Sequence, residues 1–257
     1  MNIPGSHIVV TGASRGVGAC IAREAAARGA RVTLVARSAD PLVALAKELG
    51  GLAIPVDLAD TTQLDGLIAR IENETGPIDA LVNNAAVSQT GPFKSQSAAS
   101  LRLHINANLL APMELSRQLI PRMLERGRGN LMIISSVAGE MTARNMTAYS
   151  TSKSGLNMFA ASVQRELRKT PVRLSLMVLG EVQTQMLVEG REDPLVAAIA
   201  DRVGAMGTLT PERVAKASLD ALATDRLTQV IPPAAAPIYW LRQIPSRVMD
   251  LALRGID

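Results

Sequence analysis

Seven short apolar runs recur along the chain, at 7–12 (HIVVTG), 31–36 (RVTLVA), 52–57 (LAIPVD), 78–83 (IDALVN), 129–135 (GNLMIIS), 172–178 (VRLSLMV) and 227–231 (LTQVI). Between them lie Ala/Leu-rich segments with helical patterning, at 17–28, 40–49, 60–75, 98–126, 149–169 and 210–223. A strand that is apolar almost throughout offers no face to water, so it must be covered on both sides. Strands alternating with helices then predict a parallel sheet with helices on both faces. Right-handed crossovers make this a single doubly wound, Rossmann-type α/β domain with a seven-stranded, mostly parallel sheet.

Nothing in composition divides residues 1–231. The stretch 180–208 follows the sixth strand, at the carboxyl edge where such sheets bind ligands, and reads as a lid. Residues 232–257 read as an amphipathic extension of the same domain. At 100° per residue, Trp240, Leu241, Ile244, Val248, Leu251 and Ala252 share one arc. That face suits packing on the body or on a partner subunit, with weak membrane-surface contact through 238–254 as the other use.

Charge and cysteine content narrow the function classes. The 257 residues carry 27 basic and 23 acidic side chains, a formal +4. The arginines are scattered, with no basic run interleaved with aromatics, which argues against a nucleic-acid partner. The mild excess suits an anionic ligand. Cys20 is the single cysteine and the two histidines lack paired ligands, so no metal site is expected. The start MNIPGSHIVVTG lacks the pattern of a signal peptide and no run of about 18 apolar residues occurs, which points to the cytoplasm.

The segment VVTGASRGVGACIARE sets Gly12, Gly16 and Gly18 between the first strand and the first helix. Glycine permits a sharp turn and close backbone approach, and the helix start beyond offers N–H groups to a phosphate. Arg15 lies in this turn and Arg37 follows the second strand, where an acid would bind a ribose 2′-hydroxyl. Two guanidiniums there suit a 2′-phosphate, which predicts NADP(H) over NAD(H).

Further motifs follow in order: VDLAD (56–60), NNAA (83–86), INANLLAP (105–112), IISSVAG (133–139) and YSTSK (149–153). Together with TGASRGVG (11–18) they resemble the short-chain dehydrogenase/reductase family in its form of about 250 residues. The resemblance implies cofactor contacts from Gly12, Ser14, Arg15, Gly16, Val17 and Gly18 in the turn. It implies others from Asp57 and Leu58 near the adenine, from Asn84 and Ala85, and from Gly180, Val182 and Thr184 after the sixth strand. Ser136, thirteen residues before Tyr149, matches the family's catalytic serine better than Ser135. Tyr149 and Lys153 match its Y-x-x-x-K pair, and both are also expected at the cofactor. The resemblance further implies that Asn108 sits in a mid-helix distortion and holds a water connecting Lys153 to solvent. Leu179 stands where the family usually has proline, so the neighbouring loop is expected to be looser or differently aimed.

The chemistry is legible from residue types. At i and i+4 on a helix, Tyr149 and Lys153 face the same way. A nearby ammonium favours phenolate and is expected to lower the phenol's pKa towards neutrality. Such a phenol gives a proton to a carbonyl oxygen as hydride reaches carbon, while Ser136 bonds the same oxygen. His7 and His104 do not read as catalysts, and His104 reads as a partly buried surface residue.

The substrate side is expected at 87–95, 137–146 and 180–208, with Val87, Phe93, Val137, Met141, Met146, Met186, Leu187 and Leu195. Few charges lie there, which favours an apolar ketone or acyl/lipid-like substrate. A 3-oxoacyl carrier-protein reductase is the rival enzyme, and a non-catalytic NADP(H) sensor or scaffold the rival of another class. The resemblance implies a homodimer or homotetramer built on the two long helices.

Overall fold

The computed structural model describes residues 1–141 and 143–240. Its strands are β1 (His7–Thr11), β2 (Arg31–Ala36), β3 (Leu52–Pro55), β4 (Ala80–Asn83), β5 (Gly129–Ser136), β6 (Val172–Leu179) and β7 (Thr228–Ile231). All pair in parallel in the order β3-β2-β1-β4-β5-β6-β7. The order reverses between β1 and β4, which opens a crevice at their carboxyl ends.

Strand periodicity divides the core into two layers. Val9, Leu81, Leu131, Ile133, Leu174 and Leu176 face one side. There they meet α3 (Leu67–Thr75), α5 (Ala111–Arg126) and α6 (Thr147–Glu166). Ile8, Val10, Val82, Met132, Ile134 and Met177 face the other side, against α1 (Gly16–Ala27), α2 (Ala39–Leu49) and α9 (Pro211–Ala223). With only two phenylalanines, two tyrosines and one tryptophan in the chain, this packing is almost wholly aliphatic.

Two expected helices differ in detail, and the lid proves to be helical. The segment 60–75 is a 3-10 turn (Thr61–Leu64) and then α3, broken where Gly66 adopts φ +64°. The segment 98–126 runs as α4 (Ala98–Ile105), a π turn (Asn106–Leu110) and α5, so the mid-helix distortion falls at Asn108. The stretch 180–208, which has no clear pattern in sequence, holds α7 (Gln185–Gly190) and α8 (Pro194–Gly204). Thr184 caps α7 through the Leu187 N–H, and Asp193 caps α8 through Leu195 and Val196.

The extension begins with a 3-10 turn (Pro233–Ala235) and α10 (Ala236–Trp240). Tyr239, not Trp240, is the buried residue. Tyr239 is 3% exposed and Trp240 65%, contrary to the arc expected from sequence. Most of the 238–254 face lies outside the described residues. No helix among the described residues is long and apolar enough to cross a membrane.

The carboxyl ends of β1 and β4 are stitched together by side chains. Thr11 Oγ1 accepts the Asn84 and Ala85 N–H groups at 2.9 and 3.1 Å, and Asn84 Nδ2 donates to Thr11 O at 2.9 Å. Gly18 rests on this junction, where a Cβ would meet Gly12 O at 2.3 Å and Asn84 Nδ2 at 2.5 Å. Forcing a methyl there requires backbone to move. Gly18→Ala is therefore expected to lose about 1–3 kcal/mol, seen as a drop in thermal midpoint of the cofactor-free protein. An unchanged midpoint would show that the junction yields freely.

Candidate active site

A cavity of about 720 Å³ opens at the β1/β4 crevice. The expected cofactor residues all line it: the turn residues Gly12 and Ser14 to Gly18, Arg37, Asp57 and Leu58, Asn84 and Ala85, then Gly180, Val182 and Thr184. Gly12 and Gly16 hold φ of +66° and +57°. A Cβ on Gly16 would meet nothing nearer than Thr184 Cγ2 at 3.7 Å, so that space belongs to the cavity. The first turn of α1 has no side-chain cap and no acidic residue, which leaves N–H donors for an anion. These features fit a pyrophosphate-bearing dinucleotide. Arg37 makes no hydrogen bond or ion pair among the described residues, while Arg15 reaches Glu189 on α7 at 3.5 Å. Both guanidiniums are exposed at the rim, available to a phosphate.

Ser136, Tyr149 and Lys153 meet at the cavity floor. Ser136 ends β5 and accepts the Ala138 N–H at 3.1 Å, which fixes its hydroxyl. Ser135 also lines the cavity, but it is 2% exposed and its hydroxyl finds no hydrogen-bond partner. Lys153 is 3% exposed, donates from Nζ to Ile134 O at 3.1 Å and lies 5.9 Å from the centre of the Tyr149 ring. Gly139 lets the chain pass tightly against α6, since a Cβ there would sit 2.7 Å from the Lys153 carbonyl carbon.

The electrostatics correct one expectation. Burial pushes the Tyr149 phenol above its ordinary value, and contact with the Ser136 hydroxyl only partly opposes this. Burial is the larger effect on the phenol despite the nearby ammonium, and it acts on Lys153 as well, lowering it to about 8. In the cofactor-free protein the phenol is therefore a held proton at neutral pH, not an incipient phenolate.

Asn108 lies off the cavity. It is fully buried in the π turn, where Oδ1 accepts the Val87 N–H at 2.8 Å and Nδ2 donates to Val87 O and Ser152 Oγ at 2.9 and 3.0 Å. Both Nδ2 protons are thus used, while Oδ1 has taken one of the two hydrogen bonds it can accept. Ser152 in turn donates to Tyr149 O at 2.7 Å, which ties the distortion to the catalytic helix.

The substrate side is aliphatic, as its sequence indicates. Val87, Val137, Met141, Met146, Met186 and Leu187 line it, but Phe93 and Leu195 do not. Phe93 is 58% exposed on a short 3-10 turn. On α8 the cavity takes Val196, Ile199, Ala200 and Val203, one helical stripe that leaves Leu195 aside. Leu179 itself is firmly placed. It is buried as the last residue of β6, in register with Ile231, and the Gly180 N–H donates to Ile231 O at 2.7 Å.

Sequence reasoning missed two buried polar groups. Glu181 lines the cavity with its carboxylate 6% exposed, paired with Arg191 at 3.2 Å and accepting from Thr208 Oγ1 at 2.9 Å. Arg191 also pairs with Asp201 at 2.7 Å, so the start and end of the lid are pinned together. The crowding of acids and bases at 181–201 is the sequence signal. His104, expected at the surface, is fully buried under the loop 87–89. No cluster of metal-ligating residues occurs among the described residues.

Comparison with known proteins shows the family. Residues 6–195 match the model of the short chain dehydrogenase family. The chain is 39% identical to a ketoacyl reductase of Nostoc sp., over 89% of this chain and 79% of that protein. It is 34% identical to the mouse (Mus musculus) 3-ketodihydrosphingosine reductase, over 83% of this chain and 67% of that protein. A solved metagenomic short-chain oxidoreductase in complex with NADP is 33% identical. It superposes at a TM-score of 0.74 over 90% of this chain and 98% of that one.

The depressed Lys153 has a thermodynamic signature. Below about pH 8 the folded and unfolded chains both carry its proton, so the group gives stability no pH dependence there. Between about 8 and the ordinary value of 10.5 the unfolded chain binds more protons. Stability then rises with pH, by on the order of 3 kcal/mol. Lys153→Met should abolish this rise and be at least as stable as the parent at pH 7, in denaturant melts across the range. A variant that keeps the slope would place its origin elsewhere.

Proposed function

This chain belongs to the short chain dehydrogenase family and is an oxidoreductase, and from that premise we propose that it is an NADP(H)-dependent reductase of apolar, lipid-like ketones. The observation that carries the proposal is one cavity that joins a glycine-lined anion cradle to an aliphatic wall, with Ser136, Tyr149 and Lys153 between them. Relatives named for ketoacyl and 3-ketodihydrosphingosine reduction support the lipid-like substrate. The exposed Arg15 and Arg37 at the rim support NADP(H) over NAD(H), as does a neighbour solved with NADP.

The nicotinamide, when bound, supplies the hydride. The chain's residues do the rest. The unfilled N–H groups of the first α1 turn would hold a pyrophosphate, and Asp57 and Leu58, which line the same cavity, would lie by the adenine. Tyr149 holds a proton at neutral pH and gives it to the carbonyl oxygen, while the Ser136 hydroxyl donates a hydrogen bond to that oxygen. The anion left on Tyr149 is stabilised by the Lys153 ammonium, 5.9 Å from the ring centre and held by burial. The aliphatic wall excludes water around the reacting carbon.

Exposed Ile105, Leu110, Met113 and Met158 leave an apolar face across α4–α6, which we assign to a homodimer or homotetramer contact.

The test is NADPH oxidation followed by absorbance over a panel of aliphatic ketones. Turnover should rise with chain length, and Tyr149→Phe should lose about 10²–10⁴-fold in kcat with NADPH affinity kept. Arg37→Asp should cut the preference for NADPH over NADH by at least about tenfold. Tight NADPH binding without turnover of any ketone would favour a sensor, and an unchanged preference in Arg37→Asp would remove the 2′-phosphate assignment.

A further inference from the structure

The loop after β4 has no strand neighbour where it borders the cavity. β4 ends at Asn83, and residues 84–90 belong to no strand, yet Val87, Ser88 and Thr90 line the cavity. Beyond Ala85, backbone groups at 87 and 89 are answered by side chains of the neighbouring helix. His104 Nε2 accepts the Gln89 N–H at 3.0 Å. One turn later, Asn108 takes both the N–H and the carbonyl of Val87, at 2.8 and 2.9 Å.

Residues 104 and 108, four apart along the helix, thus hold the loop at two points, 89 and 87. The loop continues to Gly91, whose N–H donates to Asn145 O at 2.8 Å, so the same wall supports the segment that carries Met146.

The ring at 104 is committed to this task. Because Nε2 accepts from a backbone N–H, its proton must sit on Nδ1, and Nδ1–H donates to Ser100 O at 2.8 Å. The side chain is fully buried, so an apolar replacement would leave the Gln89 N–H without a partner.

We propose that His104 is a positioning residue for the substrate. Through the Gln89 amide it fixes the 87–90 wall against which the ketone's apolar portion rests. The proposal rests on the carbonyl-reductase reading. His104 touches neither the reacting atoms nor the cofactor side, so its loss should weaken ketone binding and spare the chemical step.

The experiment uses the full chain and a ketone that the parent protein reduces. His104→Leu should raise ketone KM about tenfold, the worth of one buried hydrogen bond, with kcat within about twofold. NADPH Kd should not change. His104→Gln, whose amide oxygen can accept from the Gln89 N–H, should recover most of the loss. Hydrogen–deuterium exchange of the peptide spanning 85–92 should be faster in His104→Leu than in the parent or His104→Gln. An unchanged KM in His104→Leu overturns the proposal. So does a fall in kcat without a rise in KM, or a His104→Gln as impaired as His104→Leu. If His104→Leu does not fold, the parent and His104→Gln decide alone, since rapid exchange at Gln89 in the parent sinks the rung. A parent protein that reduces no ketone would overturn the functional reading instead, and the exchange rates would then judge the rung without kinetics.

Discussion

An ammonium buried at the end of an apolar strand is the constraint around which this site is organised. Lys153 has given up water for one carbonyl, that of Ile134 on β5. Such a group is costly to fold around, and that cost is visible in its depressed affinity for a proton. It is sustained because β5 and β6 are paired over eight residues and α6 packs on them through Leu156, Ala160 and Val163. A loose sheet would let water in and release the charge. The apolar sheet core and the polar floor are therefore one structure, and the floor is held at the end of the longest strand pairing, that of β5 with β6.

Burial also settles the division of labour between the two ends of the cavity. At the glycine turn the donors are backbone groups freed by the absence of side chains, so an anion can approach them. At the floor the donors are side chains held by packing, so they can wait in one protonation state. Tyr149 is kept protonated by the same desolvation that weakens Lys153, a direction that suits giving a proton to a carbonyl oxygen. Helix α6 places both groups because its residues 149 and 153 are one turn apart, and Ser152 ties the same turn to the π distortion at Asn108.

Much of this was legible in the sequence, and the exceptions have physical causes. The strands were readable because both of their faces are apolar, and the glycine turn because Gly12, Gly16 and Gly18 stand between a strand and a helix. The Tyr149–Lys153 spacing is likewise a local fact. What periodicity cannot see is where a polar side chain ends up when another segment covers it. His104 looks like a surface residue on its own helix and is buried only because the loop 87–89 lies across it. Glu181 looks like a loop acid and becomes a clamp only once Arg191 and Thr208 return to it. The sign of the Tyr149 shift was lost for the same reason. Spacing shows that a charge is near, while only the packed structure shows that burial outweighs it.

The most direct test is the protonation state of Tyr149 itself. The chain has only two tyrosines, so protein labelled with carbon-13 at the tyrosine ζ position gives two signals. Tyr149→Phe assigns them by loss of one. In the cofactor-free protein, the Tyr149 carbon should keep the shift of a neutral phenol at neutral pH and titrate above the ordinary phenol value. A phenolate shift near pH 7 would contradict the buried, proton-holding Tyr149 on which the proposed chemistry depends.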